Sequence, residues 1–256
     1  EVIMSFISID ASRCLGDGLC VRDCVCHCIR MKDGRAYFRD LAGCACIRCG
    51  HCAAICPAGA VSMDGLEAGV LPRVPENTIT ADDFSGLAKS RRSTRLFEDR
   101  PVPRELLRRA LDTARYAPTA KNVQGVGWVV LDDRAKIQAL AAVTINAMRG
   151  MKGFQNECAA FDRGRDVILR HAPCVIFAHA KNETDGLCFS DCAVALTYLE
   201  FMLYTLGLGT TWAGYVVETA QKTPAIRDYL GLYRCGLGHF RSAGAAESGL
   251  PVYLRP

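Results

Sequence analysis

The chain has 256 residues, 50% hydrophobic and 23% charged, which excludes a disordered chain and leaves room for one to two domains. Lys and Arg number 31 against 27 Asp and Glu, and the resulting +4 is too mild and too evenly spread for a nucleic-acid footprint. The anomaly is cysteine: 15 in all, with ten in the first 56 residues.

The opening stretch, EVIMSFISIDASRC, has neither a basic n-region nor an apolar h-region. The expectation is a cytoplasmic, reducing setting, in which dense cysteines serve as ligands rather than as a disulfide scaffold. Cys46, Cys49, Cys52 and Cys56, followed by Pro57, spell C-x2-C-x2-C-x3-C-P. That is the spacing of bacterial iron–sulfur proteins, whose fourth cysteine serves the other cluster. Soft thiolates bind iron, and two-residue intervals let one tight loop reach three corners of a cube. Zinc knuckles usually come as two separated C-x2-C pairs.

An offset of 32 positions, from Cys14 to Cys46, exposes a repeat. Asp17 falls on Cys49, Cys20 on Cys52 and Cys24 on Cys56, while Ile29 maps to Val61 and Met31 to Met63. Over about residues 5–65 the two halves resemble a two-cluster bacterial ferredoxin. The resemblance implies one cluster on Cys24, Cys46, Cys49 and Cys52. It implies a second on Cys14, Cys20 and Cys56, with Asp17 where a fourth thiolate is usual. At that corner three readings stay open: an aspartate-ligated [4Fe–4S] cluster, a [3Fe–4S] cluster lacking the corner, or a surface aspartate beside no cluster. Cys26, Cys28 and Cys44 are surplus. Cys26 and Cys28 map onto Ala58 and Ala60, so they read as small packing residues, with rescue ligation as the alternative. Cys158, Cys174, Cys188, Cys192 and Cys235 lack ligand spacing and read as core cysteines.

Residues 66–85 have linker composition. Beyond them, apolar spacing predicts a helix over 104–116 with Pro103 at its entrance, and buried strands at Gly127–Asp132 and Cys174–Ala178. Helices are expected over Ala135–Met148 and over Ser190–Leu206, the latter capped by Ser190. This order implies an α+β sandwich. The most apolar stretch, Ala193–Val217, carries Glu200 and breaks at Gly207, Gly209 and Gly214, so a buried helix and turn fit better than a membrane span. The Gly-x-Gly pairs at 207–209 and 236–238 lack the third glycine of a dinucleotide fingerprint.

Arg91 to Pro103, RRSTRLFEDRPVP, sets arginines and hydroxyls ahead of a helix, a combination that matches phosphate oxygens and equally suits a solvated basic face. With ARYAPTAKNVQGVGWVV and GLGTTWAG following in order, the stretch from about Ala88 to Gly214 resembles the FMN-dependent nitroreductase family. The resemblance implies an FMN phosphate gripped by Arg91, Arg92, Ser93 and Arg95. It implies a flavin lined from the partner subunit by Pro118, Thr119, Ala120, Asn122 and Gln124, and backbone from Thr211, Trp212, Ala213 and Gly214 over the ring. Gly125 stands where that family usually has proline. Arg255 is the candidate C-terminal phosphate contact, in a region that matches the family poorly.

The expected organisation is a ferredoxin-like 2x[4Fe–4S] domain over 1–65, a linker over 66–85, and a nitroreductase-like FMN domain over 86–256. The expected activity passes electrons from two iron–sulfur clusters to FMN and on to a small-molecule substrate such as a nitroaromatic or quinone, with no side chain as catalytic acid or base. Two alternatives are an electron-transfer flavoprotein without turnover and a dehalogenase-like reaction on the same scaffold. Expected partners are a second copy, seamed along Ser190–Leu206, and an external donor, NAD(P)H or a ferredoxin-like protein. Neither nucleic acid nor membrane is expected as a partner, and residues 146–170 are the expected lid.

Overall fold

The computed structural model describes residues 6–39, 45–64, 74–180, 187–232 and 245–249. The chain folds as two compact units, Glu1–Thr78 with Lys121–Val123, and Ile79–Ala120 with Gln124–Pro256.

In the first unit, strands β1 (Ile7–Ile9) and β4 (Val61–Met63) pair antiparallel, as do β2 (Ile29–Lys32) and β3 (Arg35–Phe38). Two short helices, α1 (Leu19–Asp23) and α2 (His51–Ala54), each precede the second strand of a half-repeat. The repeat is visible in the backbone. Gly18 and Gly50 occupy the same position ahead of α1 and α2, at φ 68° and 76°. That left-handed conformation costs a side-chain-bearing residue about 1 kcal/mol or more, so glycine is the residue that suits it in both halves. Positions 16 and 48 are also left-handed in both halves, as are 27 and 59, although Arg48 and His27 face the steric penalty that Gly16 and Gly59 avoid. Among the described residues of this unit, Ile7, Ile29 and Val61 are the only large aliphatics buried below a tenth of their surface; alanines and cysteines fill the rest.

The second unit opens with α3 (Ala81–Ser90), which begins inside the stretch read as linker. Its start is fixed by a capping box: Thr80 Oγ1 accepts the Asp83 N–H at 3.1 Å, and Asp83 Oδ2 accepts the Thr80 N–H, also at 3.1 Å. The same hydrogen bonds hold the Asp83 carboxyl below its usual pKa. Then come α4 (Arg104–Ala114), β5 (Val126–Leu131), α5 (Arg134–Met148), α6 (Gln155–Asp162) and β6 (Cys174–Ala180). The chain continues through α7 (Cys188–Thr205), β7 (Gly209–Trp212), α8 (Gly214–Lys222), α9 (Ala225–Leu230) and β8 (Ala245–Gly249). The sheet has the order β5-β6-β8-β7, all antiparallel.

Alternation along β6 divides the core between two faces. Val175 and Phe177 pack with α5, α8 and α9, whereas Cys174, Ile176 and Ala178 pack with α4 and α7. Covered on both sides, β6 reads as an unbroken apolar run, which is why CVIFA marks a strand in the sequence. The mixed α/β sandwich is therefore as expected, with one difference at α7. It begins at Cys188 and has no side-chain cap, so Ser190 lies inside the helix rather than at its N-cap. No described helix is long and apolar enough to cross a membrane.

Candidate functional site

Two groups of side chains carry chemistry, one in each unit. In the first, the repeat brings together cysteines that are distant in sequence. Burial raises the Cys20 thiol pKa, and the nearby Cys56, Cys14 and Asp17 raise it further. Cys52 is pushed up to about 11, first by burial and then by Cys49, Cys46 and Cys24, with the Ala53 N–H opposing. Cys46 is raised by burial, by Cys24 and by Cys49, while the Arg48 N–H lowers it. Thiols that raise one another's pKa are crowded where thiolates would repel, an arrangement that a cation or a cationic cluster relieves.

Backbone donors are aimed at sulfur in both halves. The Cys28 N–H donates to Cys24 Sγ at 3.3 Å, and its counterpart one repeat on, the Ala60 N–H, donates to Cys56 Sγ at 3.3 Å. The Ala36 N–H donates to Cys14 Sγ at 3.5 Å. Cys24, Cys46, Cys49 and Cys52 also line one cavity, together with Ile7 and Met63. Among the described residues no three His, Cys, Asp or Glu side chains converge as ligands of a single ion. Thiolates at the corners of a polynuclear cube bind different irons and stand farther apart than ligands of one ion. The donor set, with its sulfur-directed N–H groups, fits such a cluster better than a lone metal. Asp17 Oδ1 accepts the Leu19 N–H at 3.0 Å at the start of α1.

Cys28 is buried, as the packing role expected of it requires, and its sulfur is bonded rather than available as a rescue ligand. Cys26 is a half-buried free thiol, and Cys44 lies outside the described residues. Cys158, Cys174 and Cys192 are buried, as core cysteines should be, while Cys235 is outside the described residues.

In the second unit, the arginine run leaves α3 in extended conformation and is stitched to β7. Ser93 forms a parallel bridge with Thr210, and the Thr94 N–H donates to the Thr210 carbonyl at 2.8 Å. Two motifs more than a hundred residues apart are thereby brought side by side. Arg91 is half-buried, and its Nη1 donates to Glu200 Oε1 at 3.3 Å. Arg92 is exposed, with Nη1 on the carbonyls of Lys89 at 2.6 Å and Arg91 at 3.0 Å; Arg95 is exposed as well. Thr211 and Ala213 are buried, while Trp212 is 41% exposed and Gly214 is exposed where α8 begins. Converging guanidinium, hydroxyl and strand-end backbone suit an anionic headgroup beside a planar ring.

The Pro118–Gln124 segment divides. The Ala120 N–H donates to Asp191 Oδ1 at 2.9 Å, and the Gln124 N–H to Thr119 Oγ1 at 2.9 Å. Lys121–Val123 belongs to the first unit, where Asn122 Nδ2 donates to the carbonyls of Ile47 at 3.2 Å and Arg48 at 3.0 Å. Lys121, Asn122 and Gln124 are left-handed, a conformation that asparagine tolerates and that is sterically unfavourable for lysine and glutamine. Arg255 lies outside the described residues.

Glu200 is the residue that motif reading missed. Its only sequence signal is a lone carboxylate in a long apolar stretch, which served merely to argue against a membrane span.

A family model described as the nitroreductase family matches residues 88–237. A protein of Methanothermobacter thermautotrophicus, provisionally named as an NADH dehydrogenase/NAD(P)H nitroreductase, is 25% identical over 142 residues, 54% of this chain. The match spans 64% of that relative's length, short of two thirds. The chloronitrobenzene nitroreductase of Comamonas testosteroni is 25% identical over 152 residues, again 64% of its length. Among solved structures, a nitroreductase with bound FMN from Bacteroides fragilis superposes with a TM-score of 0.55 at 20% identity, over 67% of this chain and 90% of that one. A nitroreductase with bound FMN from Desulfitobacterium hafniense gives 0.54 at 21% identity, over 67% and 90%. These two likenesses concern the fold.

Proposed function

Because the chain belongs to the nitroreductase family, we propose that it is an iron–sulfur flavoprotein oxidoreductase that reduces a small oxidised substrate such as a nitroaromatic or quinone. The observation that carries the flavin half is the stitching of Ser93 and Thr94 to Thr210, which sets Arg91 and Trp212 around one buried carboxylate. Bound FMN of the kind held by the Bacteroides fragilis and Desulfitobacterium hafniense relatives would supply two-electron reduction, and clusters would supply single electrons.

This chain's residues bind, orient and tune. Arg91, Arg92, Ser93 and Arg95 hold the phosphate, with the guanidinium fork giving direction as well as charge. Thr211, Trp212, Ala213 and Gly214 form one wall of the ring pocket, and the N–H groups there favour negative charge on the ring. Pro118, Thr119, Ala120, Asn122 and Gln124 complete the pocket from a second copy in a homodimer seamed along α7. Cys24, Cys46, Cys49 and Cys52 hold one cluster; Cys14, Cys20 and Cys56, with Asp17, hold the other. The support for that half is the matched geometry of the two half-repeats, with sulfur-directed N–H donors at equivalent positions. The external donor is NAD(P)H or a small ferredoxin-like protein.

Anaerobic purification followed by a visible spectrum, with iron, sulfide and flavin counted per chain, tests both halves. Flavin bands over a broad cluster shoulder are expected. Colourless protein sinks the proposal, and flavin without iron sinks only the cluster half.

A further inference from the structure

Glu200 lies towards the C-terminal end of α7 and is 9% exposed, in a stretch with Leu196, Leu199 and Leu203, which are fully buried. A buried carboxylate is unfavourable unless it is paired and hydrogen-bonded, and an apolar side chain of similar volume would serve helix packing as well or better. Its partners therefore identify its use. Oε1 accepts Arg91 Nη1 at 3.3 Å and Thr210 Oγ1 at 2.8 Å, and Oε2 receives Trp212 Nε1 at 3.5 Å. One donor comes from the arginine run and two come from β7.

We propose that Glu200 is the positioning residue for the phosphate end of the flavin site, aiming the Arg91 guanidinium and locking it to β7 through Thr210 and Trp212. The inference deepens the flavin reading above and rests on it. A guanidinium offers five N–H donors in a rigid fork, so a carboxylate on one nitrogen fixes the plane and leaves the other edge for an anion. Among the described residues Glu200 is the one side chain to which Arg91 donates a hydrogen bond. The link also explains why the lone charge in an apolar stretch falls so close to the Gly-rich end of α7.

The test uses the full chain, purified without oxygen, with affinities for FMN and riboflavin read from quenching of flavin fluorescence. Tryptophan is replaced by 5-fluorotryptophan so that Trp212 is followed by fluorine NMR in flavin-free protein, with Trp128→Phe to assign the second signal. The parent protein is expected to prefer FMN to riboflavin. Glu200→Ala should weaken FMN binding about tenfold, the scale of one charge-assisted hydrogen bond, and leave riboflavin binding unchanged. It should also move the Trp212 resonance. Glu200→Gln retains an acceptor for Arg91 and Thr210 and should restore most of the FMN affinity, but not the Trp212 resonance, because an amide N–H cannot accept the indole proton. Glu200→Met fills the volume without an acceptor and carries the expectation of the alanine variant if that variant does not fold. An unchanged preference for FMN in Glu200→Ala or Glu200→Met overturns the proposal, whatever Trp212 does. A parent protein without preference for FMN over riboflavin overturns the phosphate reading itself, and shows it before any substitution is made.

Discussion

The two units are held together by different means. Among the described residues of 6–64, only Ile7, Ile29 and Val61 are buried large aliphatics, and much of the remaining buried surface belongs to alanine and cysteine. In the second unit, β6 is closed on both faces, and Leu140, Leu199, Leu203 and Leu208 are fully buried. Apolar burial stabilises by about 25 cal/mol per Å², and a unit of about eighty residues with so few large buried side chains gains little from it without a staple. The first unit has a set of crowded thiols; the second has an ordinary core. On the cluster proposal, stability of the first is tied to what its sulfurs bind, whereas the second has a core of its own.

On the cluster proposal, the largest effect should come from removing iron. After anaerobic chelation, amides of β1 and β4 should lose their protection against hydrogen exchange while those of β5 and β6 keep theirs, because ligand binding is folding free energy for a unit with so small a core. Continued protection of β1 and β4 in iron-free protein would break the contrast. Leu199→Ala is the converse. With Leu199 fully buried between α4 and the sheet, a loss of about 2–5 kcal/mol is expected from the denaturation midpoint of the second unit, with iron content unchanged. Arg91→Ala comes next. It removes a charge-assisted contact of about 1.5–3 kcal/mol, so FMN binding should weaken by roughly ten- to a hundred-fold while riboflavin binding stays level. Equal weakening of both ligands would mean that Arg91 acts on the ring or on the fold, not on a phosphate.

Particular residues show what the sequence could reveal. β6 was legible because a strand covered on both faces leaves an unbroken apolar run at Cys174–Ala178. The half-repeats were legible because cysteine and glycine spacing is dictated by local loop geometry, so an offset in sequence becomes an equivalence in backbone angles. The Ser93–Thr210 bridge was not legible as geometry, since it joins segments over a hundred residues apart and depends on how α7 folds back on the sheet. Glu200 escaped because its role comes wholly from such distant partners. The start of α7 differs for a local reason: the Asp191 N–H donates to the Leu187 carbonyl at 3.0 Å, so the backbone ladder continues two residues past Ser190 to Cys188 without a side-chain cap.

The smallest expected effect concerns the seam at Thr78/Ile79. Thr80 and Asp83 form a reciprocal cap at the N-terminus of α3, so this helix start is set by local hydrogen bonds and not by burial, for no residue of α3 is buried. Its signal, Thr followed three residues later by an acid, was present in the sequence within a stretch whose prolines and glycines read as linker. Thr80→Ala removes the acceptor for the Asp83 N–H and the donor hydroxyl to its carboxylate, and should cost about 1 kcal/mol. Because the cap is exposed and belongs to α3 alone, the loss should appear as faster exchange of the first-turn amides of α3. Iron content and the β5 and β6 amides should be unaffected. A fall in iron content in Thr80→Ala would show that the first unit depends on the start of α3, contrary to the independence argued for the two units.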